Sequence, residues 1–162
     1  MPLKQQILQE LNQLAAQGGN QPRQFALSVS VGSLEAALFS VDSLACALET
    51  LTLHSNKLAA STTAELKALS DRLSRQLSYL LEPISLIECD ADSATVQLRS
   101  NPPQQDEDKT SYYEIVARRG GSIMLCRYLK QPGTVRQITP SNLTHEVLAR
   151  LGDDFVTAVE AM

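Results

Sequence analysis

The chain has 162 residues, 43% of them hydrophobic and 20% charged, the balance of a globular domain long enough to bury a core without staples and not that of a disordered chain. A net charge of −4 and a sequence pI near 5.2 argue against general binding to nucleic acid or anionic membranes, which needs a basic footprint. No apolar run is long enough to span a bilayer, MPLKQQILQELNQ lacks the apolar core of a signal peptide, and three scattered cysteines without a CxxC point to a reducing cytoplasm.

In chain order, Leu3, Ile7, Leu11 and Leu14 make one stripe of an amphipathic helix closed by Gly18-Gly19. Gly18 to Pro22 is a linker in composition. Residues 1–19 are therefore expected as a helix loosely attached or docked on a partner subunit, and residues 24–162 as a single α+β domain. Phe25, Leu27, Val29 and Val31 alternate with small or polar residues, a half-buried strand broken at Gly32-Ser33. Ala37, Phe39 and Val41 continue in period two. Asp42 to Leu48 fits a strand or a helix face equally, and Glu49 to His54 reads as a strand.

Thr62 with Glu65 three residues on is a capping box, followed by the stripe Leu66, Leu69, Leu73, Leu77 and Leu80 and stopped before Pro83. Ile84 to Cys89 and Ala94 to Arg99 read as strands joined by the turn Asp90 to Ser93, whose side chains bond their own backbone. Asn101 to Lys109 carries two prolines, three acids and no apolar residue, and is expected as a mobile loop. Thr139 before Pro140 is a plausible N-cap for a last helix bearing Leu143, Val147, Leu148, Leu151, Phe155 and Val159.

The chain is organised around Ser111 to Lys130, two β-type runs flanking Gly120-Gly121. If the two glycines form the loop, counting outward puts Ala117 opposite Met124, Ile115 opposite Cys126 and Tyr113 opposite Tyr128 on a buried face. The other face then opposes Glu114 and Arg127, an unlike pair that favours this register. No strand–helix alternation repeats, so the expected fold is α+β: an antiparallel sheet of about six to seven strands with amphipathic helices on one face, in the order α-βββ-α-ββββ-α.

Specific chemistry is sparse. Two histidines, His54 and His145, form no metal-ligand spacing and read as surface residues. Cys46, Cys89 and Cys126 each sit in apolar runs and read as core thiols. The run Glu88 to Asp92 lacks the glycine and distal glutamate of a calcium loop, and no G-x-S-x-G, G-x-G-x-x-G or P-loop is present. No catalytic residue, metal or cofactor is therefore assigned. Candidate binding residues are Arg118 and Arg119 beside the turn, where guanidinium groups could hold an anion, and Tyr112, Glu114 and Arg127 on the partly wet face, with the composition of an interface.

The order α-βββ-α-strands-α in a small acidic chain resembles the topology of type III secretion chaperones, with more strands after the second helix than those proteins have. The resemblance is one of fold, and it implies a protein-binding, chaperone-like role. The expectation is a non-enzymatic module, a homodimer, that binds a protein or peptide on an open sheet face or edge. The alternative is a small-molecule-binding protein or enzyme with a pocket between sheet and helices.

Overall fold

Period-two alternation in the first third of the chain builds three antiparallel strands, β1 (Arg23–Val29), β2 (Gly32–Val41) and β3 (Ala45–Ser55). This is a computed structural model, and it describes residues 1–18 and 20–162. Gly19, half of the expected Gly18-Gly19 stop, lies outside the described residues. Val29 and Gly32 close a two-residue loop between β1 and β2. At Gly32 φ is +153°, and a Cβ there would stand 1.9 Å from the His54 carbonyl oxygen, so only glycine lets β3 approach. The ambiguous stretch after Val41 resolves into a turn and a strand. The Asp42 carboxylate accepts from the Leu44 and Ala45 amides at 2.8 and 2.9 Å, which starts β3 at Ala45. The β2–β3 register shifts on either side of Leu38. Leu34, Ala36 and Leu38 are buried in period two, the shift turns Val41 inward, and Phe39 is only half-buried.

The leucine stripes form helices because each has one apolar side to bury. Helix α1 (Leu3–Ala16) packs on α4 (His145–Glu160), β1 and β2, with Ile7 and Leu11 fully buried. After a single turn, α2 (Asn56–Ala59), comes α3 (Thr63–Gln76), opened by the expected capping box: Thr62 and Glu65 exchange two hydrogen bonds of 3.1 Å. A 3-10 turn, Leu77–Leu80, prolongs α3, and all five leucines of the stripe are buried. Leu81 then takes a left-handed φ of 66° ahead of Pro83.

The remaining strands are β4 (Ile84–Asp90), β5 (Thr95–Ser100), β6 (Gln104–Asp106), β7 (Lys109–Arg118), β8 (Ser122–Lys130), β9 (Gln137–Thr139) and β10 (Ser141–Thr144). Asp90 caps the β4–β5 turn by accepting from the Asp92 and Ser93 amides. The polar stretch expected as a loop contains β6, which folds back on the start of β7; a backbone ladder forms there without an apolar face. The last helix begins later than the Thr139-Pro140 signal suggests. Residues 137–139 pair with β8 and 141–144 with β3, so Pro140 marks a crossing between strands. Thr144 is the true N-cap, accepting from the Val147 amide at 3.2 Å.

All pairings are antiparallel, and the main path of the ten-stranded sheet runs β1-β2-β3-β8-β7-β5-β4. The α+β order holds, with a sheet larger than the expected six to seven strands because β6, β9 and β10 are too short to show a period. Helices α1, α4 and α3 cover one face, over a core of Leu34, Leu51, Leu66, Leu125, Phe155 and their neighbours. Among the described residues no helix is long and apolar enough to cross a membrane.

The organising hairpin forms in a different register. Arg118 pairs with Ser122 across a three-residue loop, and Gly121 takes φ +111° while Gly120 does not need a positive φ. Ala117 therefore opposes Ile123, Ile115 opposes Leu125 and Tyr113 opposes Arg127. A shift of one residue turns every β8 side chain to the other face. Met124 and Cys126 do not meet the helices, Ile123 and Leu125 do, and the Glu114–Arg127 pair is not formed. Replacing Gly32 with alanine sets the added carbon against a backbone oxygen. We expect Gly32→Ala to lower unfolding free energy by at least about 2 kcal/mol, read from urea denaturation.

Candidate functional site

With the helices on one side, the β7–β8 register presents Tyr112, Glu114, Val116 and Arg118 with Met124, Cys126 and Tyr128 on the uncovered side. Strand β5 adds Gln97 and Arg99, paired with Val116 and Glu114. The segment before β9 brings in Arg136. These residues form one cluster around a carboxylate. Glu114 is 3% exposed, and its Oε1 accepts from Arg99 and Arg136, each at 3.0 Å, and from Gln97. Arg99 lies 4.5 Å above the Tyr112 ring, and Arg136 lies 3.8 Å above the Tyr128 ring. The two rings are 6.0 Å apart and tilted, and Arg136 also donates to the Tyr112 hydroxyl at 3.3 Å. Ile138, opposite Tyr128 in the ladder, extends the patch.

The electrostatics follow from this packing. Burial by itself would raise the Glu114 pKa, but the hydrogen bonds from Arg136, Arg99 and Gln97 outweigh it and hold the carboxyl below its usual range. Arg136 is likewise held more firmly charged, since its bonds to Glu114 and Tyr112 outweigh burial. Burial and the neighbouring Cys126 push the Tyr128 hydroxyl up to about 12. Burial also raises the Cys126 thiol. Every shift moves away from neutrality, so at neutral pH Glu114 and Arg136 are charged while Tyr128 and Cys126 are not.

The candidate residues of the sequence divide between the two faces. Tyr112 and Glu114 join the cluster. Arg118 is exposed at the end of β7, beside a small recess lined by Glu88, Asp90 and Gln97. Arg119 is exposed in the loop, where its amide donates to the Ala94 carbonyl at 2.9 Å. Arg127 lies on the helix side: it pairs with Glu82 at 2.8 Å, donates to Gln104 and Ser111 at 2.9 and 3.0 Å, and stacks 4.6 Å from the Tyr113 ring. Sequence reading misses Arg99, Arg136 and Tyr128. Arg99 is legible as a polar position alternating with Val96 and Leu98, whereas nothing local marks Arg136.

Other expectations change on the same ground. His54 is exposed, 3.6 Å from Glu35, but His145 is buried with Nε2 2.8 Å from the Asp42 carbonyl, tying the β2–β3 turn to the start of α4. Cys46 is buried in the core as expected, Cys126 is buried on the uncovered face opposite Glu114 and not in the core, and Cys89 is exposed because β4 is an edge strand. Among the described residues no three His, Cys, Asp or Glu side chains gather as a metal site. A groove of about 390 Å³ crosses the β1–β3 end of the uncovered face, lined by Gln24, Ala26, Glu35, Ala37, Thr50 and Thr52. No protein-family model matches the chain, and no curated protein or solved structure matches it either.

Two outcomes test this geometry. The folded Glu114 carboxyl titrates below the unfolded value of about 4.3, so its stabilisation is complete above about pH 5 and is lost as pH falls through the folded pKa. Glu114→Gln should cost about 1–2 kcal/mol at neutral pH, and the gap from wild type in urea midpoint should narrow toward about pH 3. A double-mutant cycle between Arg127 and Glu82 should show coupling of about 1 kcal/mol or more, and one between Arg127 and Glu114 almost none.

Proposed function

We propose that the chain is a non-enzymatic binding module that takes a protein segment bearing an acidic side chain on the uncovered sheet face, at Arg99, Tyr112, Tyr128 and Arg136. The observation that carries this reading is the sharing of one buried carboxylate by two arginine side chains that remain about a third exposed, at 33% and 36%. One negative charge against two positive ones leaves a local excess of positive charge on a chain whose net charge is −4. Each guanidinium has five N–H donors, of which Glu114 and Tyr112 use a minority. The tyrosine rings below and Glu114 beside them hold both groups in fixed orientations, which lowers the entropy lost on binding. Tyrosine and arginine also dominate interface energies, and Ile138, 37% exposed, with Val135, 84% exposed, supplies apolar surface close to Arg136 in the chain.

A small polar ligand is the second reading, and the groove over β1 to β3 favours it. Its wall of alanine, threonine and glutamine holds a single charged side chain, Glu35, which makes it the weaker of the two. Selection from a phage-displayed random peptide library decides between them. Peptides enriched in Asp and Glu should emerge, with binding weakened at least about tenfold by Arg136→Ala and by Tyr128→Ala. Selected peptides that bind both variants as tightly as wild type would overturn the assignment of this surface.

A further inference from the structure

We infer that the free edge of β1 pairs with β1 of a second copy of this chain, making a two-fold homodimer whose two sheets run on as one. The inference is independent of the peptide-binding reading, since the Arg–Tyr cluster lies on β5, β7 and β8. Among the described residues β2 is the only strand that pairs with β1. Its register with β2 is continuous from Arg23↔Leu38 to Val29↔Gly32, so it carries no bulge. It contains no proline and no charge after Arg23. Sheet edges in monomeric proteins are normally blunted by such devices. The opposite edge, β4, has them: a register shift between Leu86 and Glu88, then the exposed acid Glu88 and the Asp90 turn.

The backbone of β1 is disposed to receive a strand. Val29 and Gly32 close a two-residue loop and bond to each other, so by alternation Phe25 and Leu27 bond to β2. Gln24, Ala26 and Ser28 then direct their N–H and C=O groups off the edge. A two-fold axis at Ala26 sets Gln24 opposite Ser28 of the second copy and Ala26 opposite itself, and each such pair exchanges two backbone hydrogen bonds. On the helix side the same register puts Phe25 against Leu27 of the second copy, and Leu27 is only half-buried in the single chain. Arg23 falls opposite Val29, so no like charges meet.

This self-complementarity is what selects a second copy over an unrelated strand. The helix layer agrees with it. Helix α1 packs over β1 and β2, and its outer surface carries the uncharged side chains Gln5, Leu8, Gln9, Asn12 and Gln13.

Sedimentation equilibrium of the full chain, from micromolar to near-millimolar concentration, tests the proposal. Wild type should dimerise. Ala26→Pro removes an N–H that has no partner within the chain, so the variant should stay folded by circular dichroism and associate at least about tenfold more weakly. Ala26→Lys and Ala26→Glu each place like charges across the axis and should be monomeric alone, yet form a one-to-one heterodimer when mixed. If the proline variant fails to fold, the mixing experiment decides the question without it. A wild type that stays monomeric throughout, a dimer that survives Ala26→Pro, or a Lys–Glu mixture that stays monomeric overturns the proposal.

Discussion

The loop at Arg119–Gly121 is the constraint on which the rest of the sheet depends. Three residues, with the positive φ at Gly121, set Arg118 opposite Ser122, and every pairing down β7 and β8 follows. Because a strand's side chains alternate strictly, this count sends Ile123 and Leu125 under the helices and Cys126 and Tyr128 to the uncovered face. A two-residue loop would have buried Tyr128 and Cys126 beneath α3 and α4 and exposed two aliphatic residues. The apolar balance of the helix face therefore holds the loop in place as firmly as the loop holds the register.

The same count separates two charged residues that simple counting from the glycines would pair. Glu114 and Arg127 stand on opposite sides of the sheet, and each finds other partners there. Arg127 pairs with Glu82 between the sheet and the turn that leads out of α3, a clamp between layers. Glu114 gathers two arginines on the side that no helix covers. A wide sheet with helices on one face must keep its other face from being a bare apolar plane. Here the guanidinium groups roof the tyrosine rings, hiding ring surface while keeping charge in contact with water. That compromise gives the face a built polar–aromatic surface, in contrast to the groove of Ala, Thr, Gln and Glu35 on β1 to β3.

The two ends of the sheet are also unequal. At β4 a bulge and acidic residues break the flat ladder, and Cys89 is exposed beside them. At β1 the ladder is regular to its last residue. The stretch that joins β8 to α4 is asymmetric in another way: β9 stays with β8 and β10 with β3, and Pro140 sits between them. Arg136 enters the Glu114 cluster only because this crossing holds its segment against β8.

By itself the sequence determined the α+β class, the broad order of the longer elements, the capped leucine helix and the existence of the central hairpin. Each of these rests on local chemistry: a period of two or 3.6, a Thr–Glu box, a glycine pair. It also made Tyr112 and Glu114 legible as neighbours on one face of the sheet. Tertiary structure decided which face of β8 is buried, that Arg127 leaves that neighbourhood and that Arg99, Tyr128 and Arg136 enter it. The reason is physical. Alternation states that two faces differ, but which residues oppose one another depends on a loop count that a Gly-Gly pair leaves open by one. A residue such as Arg136 gains its role from strand crossings far from its own place in the chain.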